Sequence, residues 1–187
     1  MTAGTFFLVV GASGVGKDTL LDGVRRHLAD DERFMFVRRV ITRPADAGGE
    51  DHTSVSSAEF ARRREAGDFL AHWSANGLDY GLPIAIGDEL ARGRHVVANG
   101  SRAAVPEIAA RIENTVVIEI TAAPELIAQR LAARGRETRE AVAARLVRVT
   151  PPFPESVEVV RVSNDADLES GVAKLAAALQ IHAGPGQ

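Results

Sequence analysis

The sequence contains no cysteine. That removes disulfides, thiolate metal sites, iron–sulfur clusters and a cysteine nucleophile, and it is compatible with a reducing cytoplasm. Lysine is nearly absent as well: of 22 basic residues, Lys17 and Lys174 are the lysines and the rest are arginines. No apolar run approaches the ~20 residues that a membrane-spanning helix needs. The stretch Met1–Val10 has no basic region and too short an apolar run for a signal peptide. A cytoplasmic location with no membrane partner is therefore expected. An excess of positive charge is also missing, since the formal net charge is −3. A globally basic nucleic-acid binder is disfavoured, and no nucleic-acid partner is expected.

What is present is ordinary for a folded chain: 187 residues, 45% hydrophobic and 25% charged, enough for one domain with a buried core. Strand and helix patterns alternate from end to end. The apolar run Thr5–Val10 reads as a buried parallel strand, followed by a helix over Lys17–Leu28 and a second strand over Phe34–Ile41. Further strands are expected at His95–Ala98, Thr115–Ile120 and Val157–Val162. Helices are expected around Ala103–Arg111, Pro124–Arg134, Arg139–Val149 and Asp167–Ile181. This pattern predicts an α/β three-layer sandwich with a mostly parallel sheet.

Residues 42–93 break the rhythm. Thr42–Thr53 is loop-like, Ser56 with Glu59 predicts a capping box, and Asn76-Gly77 marks a hairpin between Phe69–Trp73 and Leu78–Tyr80. The expected organisation is a single domain, with a core over about 1–41 and 94–187. An insert over about 42–93 lies across the carboxyl edge of the sheet, where ligands of such folds bind.

The strongest motif is Gly11-Ala12-Ser13-Gly14-Val15-Gly16-Lys17-Asp18-Thr19. It follows a strand pattern and opens a helix, the context in which G-x-x-x-x-G-K cradles phosphates. Glycines let the backbone curl so that its N–H groups converge, the helix adds its positive end, and Lys17 supplies a cation for the β- and γ-phosphates of ATP. Asp18 stands where many nucleotide hydrolases place Ser or Thr for Mg²⁺, with Thr19 one position later. Two readings of Asp18 stay open: holding Mg²⁺ through water, with Thr19 in the same role, or favouring the helix N-terminus.

With Ile41-Thr42-Arg43-Pro44, Gly67-Asp68-Phe69-Leu70, Tyr80-Gly81, Arg130-Leu131-Ala132-Ala133-Arg134-Gly135-Arg136, Arg145 and Asn164-Asp165, the motif resembles the guanylate kinases in order across nearly the whole chain. The resemblance implies a nucleoside-monophosphate-kinase-like fold with an acceptor-binding insert and an Arg-rich lid over about 134–145. Several positions depart from that pattern. Asp46 replaces a second arginine, and Ala71 replaces the carboxylate that reads guanine. Leu82-Pro83 replace two hydroxyl residues, Asn99-Gly100-Ser101-Arg102 replace an acidic strand end, and His52 replaces a phosphate-binding tyrosine. Guanine's donors would be left unpaired in such a pocket, at about 1–3 kcal/mol each.

The altered stretches are similar to another family. Gly49-Glu50-Asp51-His52, His72-Trp73-Ser74-Ala75-Asn76-Gly77-Leu78 and Asn99-Gly100-Ser101-Arg102 resemble the ribose 1,5-bisphosphate phosphokinases of bacterial phosphonate breakdown. The implied reaction joins ATP and ribose 1,5-bisphosphate to give ADP and 5-phosphoribosyl 1-diphosphate, with Mg²⁺ as cofactor and a phosphosugar as small-molecule partner. On this resemblance Lys17, Arg130, Arg134, Arg136 and Arg145 are the catalytic candidates. Asn164 and Asp165 lie near adenine. Arg39, Thr42, Arg43, His52, Tyr80, Gly81, Asn99, Ser101 and Arg102 are acceptor-binding candidates. Trp73 is read as lining the sugar pocket or as insert packing. The rival readings are a guanylate-type nucleoside monophosphate kinase and a non-catalytic guanylate-kinase-like binding module.

Overall fold

A computed structural model describes residues 3–47, 50–133 and 152–184. The first strand, β1 (Phe6–Gly11), has the buried, unalternating composition of a strand covered on both faces, and it lies at the centre of a five-stranded sheet. Its neighbours are β7 (His95–Asn99) and β8 (Thr115–Thr121). Outside these lie β2 (Phe34–Phe36) and β9 (Glu158–Ser163), in the order β2-β7-β1-β8-β9. Every pairing in this sheet is parallel. The period of two along each strand divides the core into two sets. Phe7, Val9, Ile118 and Val162 pack with Leu20 and Val24 of α1 (Lys17–His27) and Leu175 and Leu179 of α6 (Leu168–Ala183). Phe6, Leu8, Val96 and Val117 pack with Ile86 and Leu90 of α3 (Ile86–Ala91) and Val105 and Ile108 of α4 (Val105–Arg111). Full burial of such a side chain contributes about 1.5–3 kcal/mol, so the two layers hold the central strands rigidly beneath the site.

A second sheet, in the order β4-β3-β6-β5, is built from β3 (Val40–Ile41), β4 (Thr53–Ser54), β5 (Phe69–Ala75) and β6 (Leu78–Pro83). The hairpin turns at Asn76 (φ 53°) and Gly77 (φ 75°), as the Asn-Gly pair predicts. Helix α2 (Ser57–Glu65) packs on β5 through stacked Phe60 and Phe69 rings 4.7 Å apart. Its cap is half of the expected box. Ser56 Oγ accepts the Glu59 N–H at 3.1 Å, but the Glu59 carboxylate turns to Arg62 and Arg63.

The expected strand Phe34–Ile41 is two strands in two sheets. The chain leaves the large sheet after Phe36 and enters the small one at Val40, because Arg39 turns inward to a carboxylate partner. The expected loop Thr42–Thr53 ends in β4, which pairs parallel to β3. Helix α5 (Pro124–Ala133) follows β8, and the expected helix Arg139–Val149 lies outside the described residues.

Candidate active site

Gly11, Gly14 and Gly16 have φ of 154°, 85° and 96°, which turn the loop back over the end of β1. Gly16 caps α1 in the left-handed region, with Lys17 opening the helix. Lys17 Nζ donates to the Gly11 carbonyl at 3.0 Å and so lies across the loop. Val15 is the buried floor of the loop, whereas Ala12, Ser13 and Thr19 are exposed.

Beneath the loop is a strut. Asn164, buried just after β9, donates from Nδ2 to the Val15 carbonyl at 2.8 Å. Arg130, from α5, donates from Nη1 to the same carbonyl at 3.1 Å and from Nη2 to the Asn164 carbonyl at 3.0 Å. Asp165 accepts the Ala123 N–H at 2.6 Å. Arg130, expected at the transferring phosphoryl group, and Asn164, expected near adenine, are thus placed where they brace the loop from below. Arg134, Arg136 and Arg145 lie outside the described residues.

On the acceptor side, Arg39 is buried, its Nε donates to Glu50 Oε1 at 3.0 Å, and its Nη2 meets the same oxygen. Its guanidinium carbon lies 4.8 Å from the Tyr80 ring centroid and 5.5 Å from that of Trp73. The Trp73 and Tyr80 rings stack at 5.5 Å and 7°. A Cβ on Gly81 would stand 2.5 Å from the Phe69 ring, so that position serves close packing of the hairpin against the ring. Thr42 Oγ1 accepts the Asp79 N–H at 2.8 Å and fastens β6. Arg43 Nη2 lies 3.3 Å from His52 Nδ1. The buried His52 ring also sits 2.9 Å from the Glu50 carbonyl and 3.1 Å from the Arg43 carbonyl. Arg43 and His52 therefore form one unit.

At the end of β7, Asn99 Nδ2 donates to Asp18 Oδ1 and to Glu50 Oε2, both at 2.9 Å. Ser101 precedes a short 3₁₀ turn over Arg102–Ala104. Arg102 pairs with the buried Glu119 at 3.0 Å and lies 4.6 Å over the Phe153 ring, while Arg161 reaches the other Glu119 oxygen at 3.1 Å.

Among the described residues, four buried side-chain polar atoms have no hydrogen-bond partner: the donors Arg25 Nε, Arg43 Nε and Arg102 Nε, and the acceptor Asn99 Oδ1. A buried donor left unpaired costs about 1–3 kcal/mol, so such atoms mark places that an anion or hydroxyl would relieve. Reading the sequence missed Glu50 and Glu119. An acid beside a Gly-Gly pair in an Arg-rich loop was the visible signal for Glu50. For Glu119, an acid within an apolar strand run was the signal.

Comparison with known proteins fits this arrangement. The guanylate kinase family matches residues 4–182. The chain belongs to the guanylate kinase family. It is 47% identical over 165 residues to a ribose 1,5-bisphosphate phosphokinase PhnN of Brucella melitensis, covering 88% of this chain and 86% of that one. It is 41% identical over 180 residues to the same-named protein of Agrobacterium fabrum, covering 96% and 98%. A bifunctional ribose 1,5-bisphosphokinase-thymidine phosphorylase of Azorhizobium caulinodans is 52% identical over 179 residues. That match covers 96% of this chain, which spans only 26% of that protein's length. A guanylate kinase structure from Anaplasma phagocytophilum superposes with a TM-score of 0.70 at 19% identity, covering 97% of this chain and 88% of that one, and it shares the fold.

Proposed function

We propose that this chain transfers the γ-phosphoryl group of ATP to the 1-phosphate of ribose 1,5-bisphosphate, giving ADP and 5-phosphoribosyl 1-diphosphate. The observation that carries the reading is the pair of unpartnered buried guanidinium donors, Arg43 Nε and Arg102 Nε. They are suited to phosphates rather than to a nucleobase edge. Ala71, where the guanylate kinase pattern has a carboxylate, is fully buried in apolar packing and offers guanine nothing. The phosphokinase relatives, matched along most of their length, support the same acceptor.

The chemistry follows from charge. A phosphate monoester has its second pKa near ~6, so the attacking oxygen is already ionised at neutral pH and needs no strong base. That oxygen forms a bond to the γ-phosphorus as the bond to the β,γ-bridging oxygen breaks, and ADP leaves with the electron pair. The obstacle is bringing two polyanions to reacting distance, which is a matter of positioning and charge neutralisation. Lys17 and the loop amides hold the donor phosphates. Arg43 with His52, and Arg102, hold the acceptor, and the small-sheet unit is the acceptor-binding insert. Arg134, Arg136 and Arg145 neutralise the charge of the transferring group.

Mg²⁺ fits the donor set. Asp18 offers a hard carboxylate oxygen at the start of α1, and Mg²⁺ binds through one or two carboxylates plus waters and substrate phosphates. Asp18 would hold it with Thr19, through water, and the ion would neutralise charge on the donor phosphates. The chain acts in the cytoplasm, and its small-molecule partner is the phosphosugar.

The test is an acceptor panel with ATP and Mg²⁺, read by phosphorus NMR. A diphosphate signal at the anomeric position from ribose 1,5-bisphosphate is expected. Turnover of GMP at comparable efficiency would refute the acceptor and favour the guanylate-type activity.

A further inference from the structure

Glu50 links the two halves of the site. Oε1 takes Arg39, and Oε2 takes the Asn99 amide, which in turn reaches Asp18. Two carboxylates on one amide nitrogen fix the amide's orientation, because an oxygen in that place would face two acceptors and no donor. Asn99 Oδ1 is thereby held outward from the pair, and it is a buried acceptor with no partner among the described residues. Asn99 is 7% exposed, and the Glu50 side chain is 13% exposed. Together with Asp18, Arg25 and Asp51 they line a narrow pocket of about 20 Å³, room for a group the size of one hydroxyl or water. Glu50 Oε2 accepts one hydrogen bond from these residues and has a second lone pair. Asn99 Oδ1 and Glu50 Oε2 therefore present acceptors, in a pocket that Arg25 also lines with a buried Nε lacking a partner among the described residues, whereas Arg43 Nε and Arg102 Nε present donors.

The open acceptors on Asn99 and Glu50 must be met by a group that donates, which a phosphate dianion cannot do and a hydroxyl can. We propose that Glu50 and Asn99 recognise a ring hydroxyl of the phosphosugar, so that Glu50 makes the enzyme select ribosyl over deoxyribosyl acceptors. This rests on the acceptor proposed above and adds which face of it is read. Arg39 takes no phosphate in this arrangement. Its charge is matched by Glu50, and its role is to hold that carboxylate in place against the Tyr80 and Trp73 rings. A polar site that loses its partner on the substrate discriminates strongly, because its own buried groups are left unpaired.

Glu50→Gln is the informative variant. Arg39 still finds an oxygen, but the new amide group faces Asn99, which turns its Oδ1 inward to accept it. The corner then loses the Glu50 and Asn99 oxygens as acceptors and keeps only the Asp18 carboxylate. The measurement is kcat/KM for ribose 1,5-bisphosphate divided by kcat/KM for its 2-deoxy and 3-deoxy analogues. The wild type should prefer the ribosyl acceptor over one of the analogues by roughly tenfold to a hundredfold, the span set by one unpaired buried acceptor. In Glu50→Gln, and independently in Asn99→Ala, that ratio should fall toward one. A merely structural role would lower all three acceptors together and leave the ratio unchanged, which overturns the proposal.

A hydrated cation also donates hydrogen bonds. Manganese(II) titrated into the nucleotide-free enzyme and followed by electron paramagnetic resonance separates the two. Binding of Mn²⁺ that Glu50→Gln abolishes assigns the corner to a cation and overturns the hydroxyl reading. Turnover of ribose 1,5-bisphosphate by the wild type tests the proposed function separately. If it succeeds while the ratio stays fixed across the variants, only the hydroxyl assignment fails. If it fails, both fall.

Discussion

Replacing Arg130 with alanine removes two hydrogen bonds that a cation donates to main-chain oxygens, one to Val15 at 3.1 Å and one to Asn164 at 3.0 Å. The two acceptors fare differently. Val15 keeps its 2.8 Å bond from Asn164 Nδ2, whereas the Asn164 carbonyl loses its side-chain partner. Hydrogen bonds involving a charged group contribute about 1.5–3 kcal/mol each, and Arg130 is half-buried, so water recovers part of the loss. Taking the lower figure twice gives about 3 kcal/mol. For a chain of this size each kcal/mol moves Tm by about 2–4 °C, so a fall of about 6–12 °C is expected.

The Val15 carbonyl also fixes the peptide that carries the Gly16 N–H. A loosened peptide should weaken binding of a non-hydrolysable ATP analogue by about tenfold, or 1.4 kcal/mol. Scanning calorimetry and titration calorimetry read the two effects. Suppose Tm stays within about 2 °C and analogue affinity holds while kcat falls a hundredfold. The guanidinium would then act on the transferring group, and the bracing role would be refuted.

Three further outcomes are expected. Gly16→Ala meets both a φ of 96° and a Cβ 2.6 Å from Asn164 Nδ2, so it should abolish detectable binding of the ATP analogue by calorimetry; retained affinity would contradict the loop geometry. Lys17→Ala removes the cation that lies across the loop on the Gly11 carbonyl and should lower kcat by about 10²–10³, measured by steady-state kinetics. His95 packs against Phe7 and Phe34 and accepts the Thr5 N–H on Nδ1, and burial, helped by Arg33, pushes its pKa down. Its unfolded form binds the proton more readily. Stability is therefore full above the ordinary histidine pKa of about 6.5 and is lost as pH falls through the lower folded value. His95→Asn keeps an acceptor for Thr5 without a titrating ring and should flatten denaturant midpoints across that window.

The phosphate loop and the central strands were legible because their signals are local. A continuous apolar run, a glycine-spaced turn and a helix with Leu20 and Val24 on one face each specify themselves. The Asn76-Gly77 hairpin is equally local. The break inside Phe34–Ile41 was not legible, because it depends on Arg39 meeting Glu50 eleven residues later. The bracing placement of Arg130 and Asn164 was also hidden. Their partner is a carbonyl at Val15, 115 and 149 residues away in sequence, and a main-chain acceptor leaves no residue-type signature. Glu119 looked like an isolated acid in a strand until Arg102 and Arg161 converged on it.

The arginines of this site share one chemistry and differ in what neutralises them. Arg39 and Glu50 form a buried pair of zero net charge, and Arg102 shares Glu119 with Arg161, leaving one positive charge. Arg43 has a histidine and no carboxylate beside it among its described contacts. On the proposed function, attraction for an acceptor phosphate is expected at Arg43 and Arg102 more than at Arg39. Arg43→Gln and Arg102→Gln should each raise KM for ribose 1,5-bisphosphate by about tenfold to a hundredfold, the cost of one charge-assisted bond, with a much smaller change in KM for ATP. Arg39→Gln should instead act mainly on Tm, because it strands the Glu50 charge in a buried place. Steady-state kinetics of the three variants beside their thermal melts test the sorting. If Arg39→Gln raised the acceptor KM as steeply as Arg43→Gln while melting like the wild type, partner-based neutralisation would be the wrong guide to which guanidinium holds the substrate.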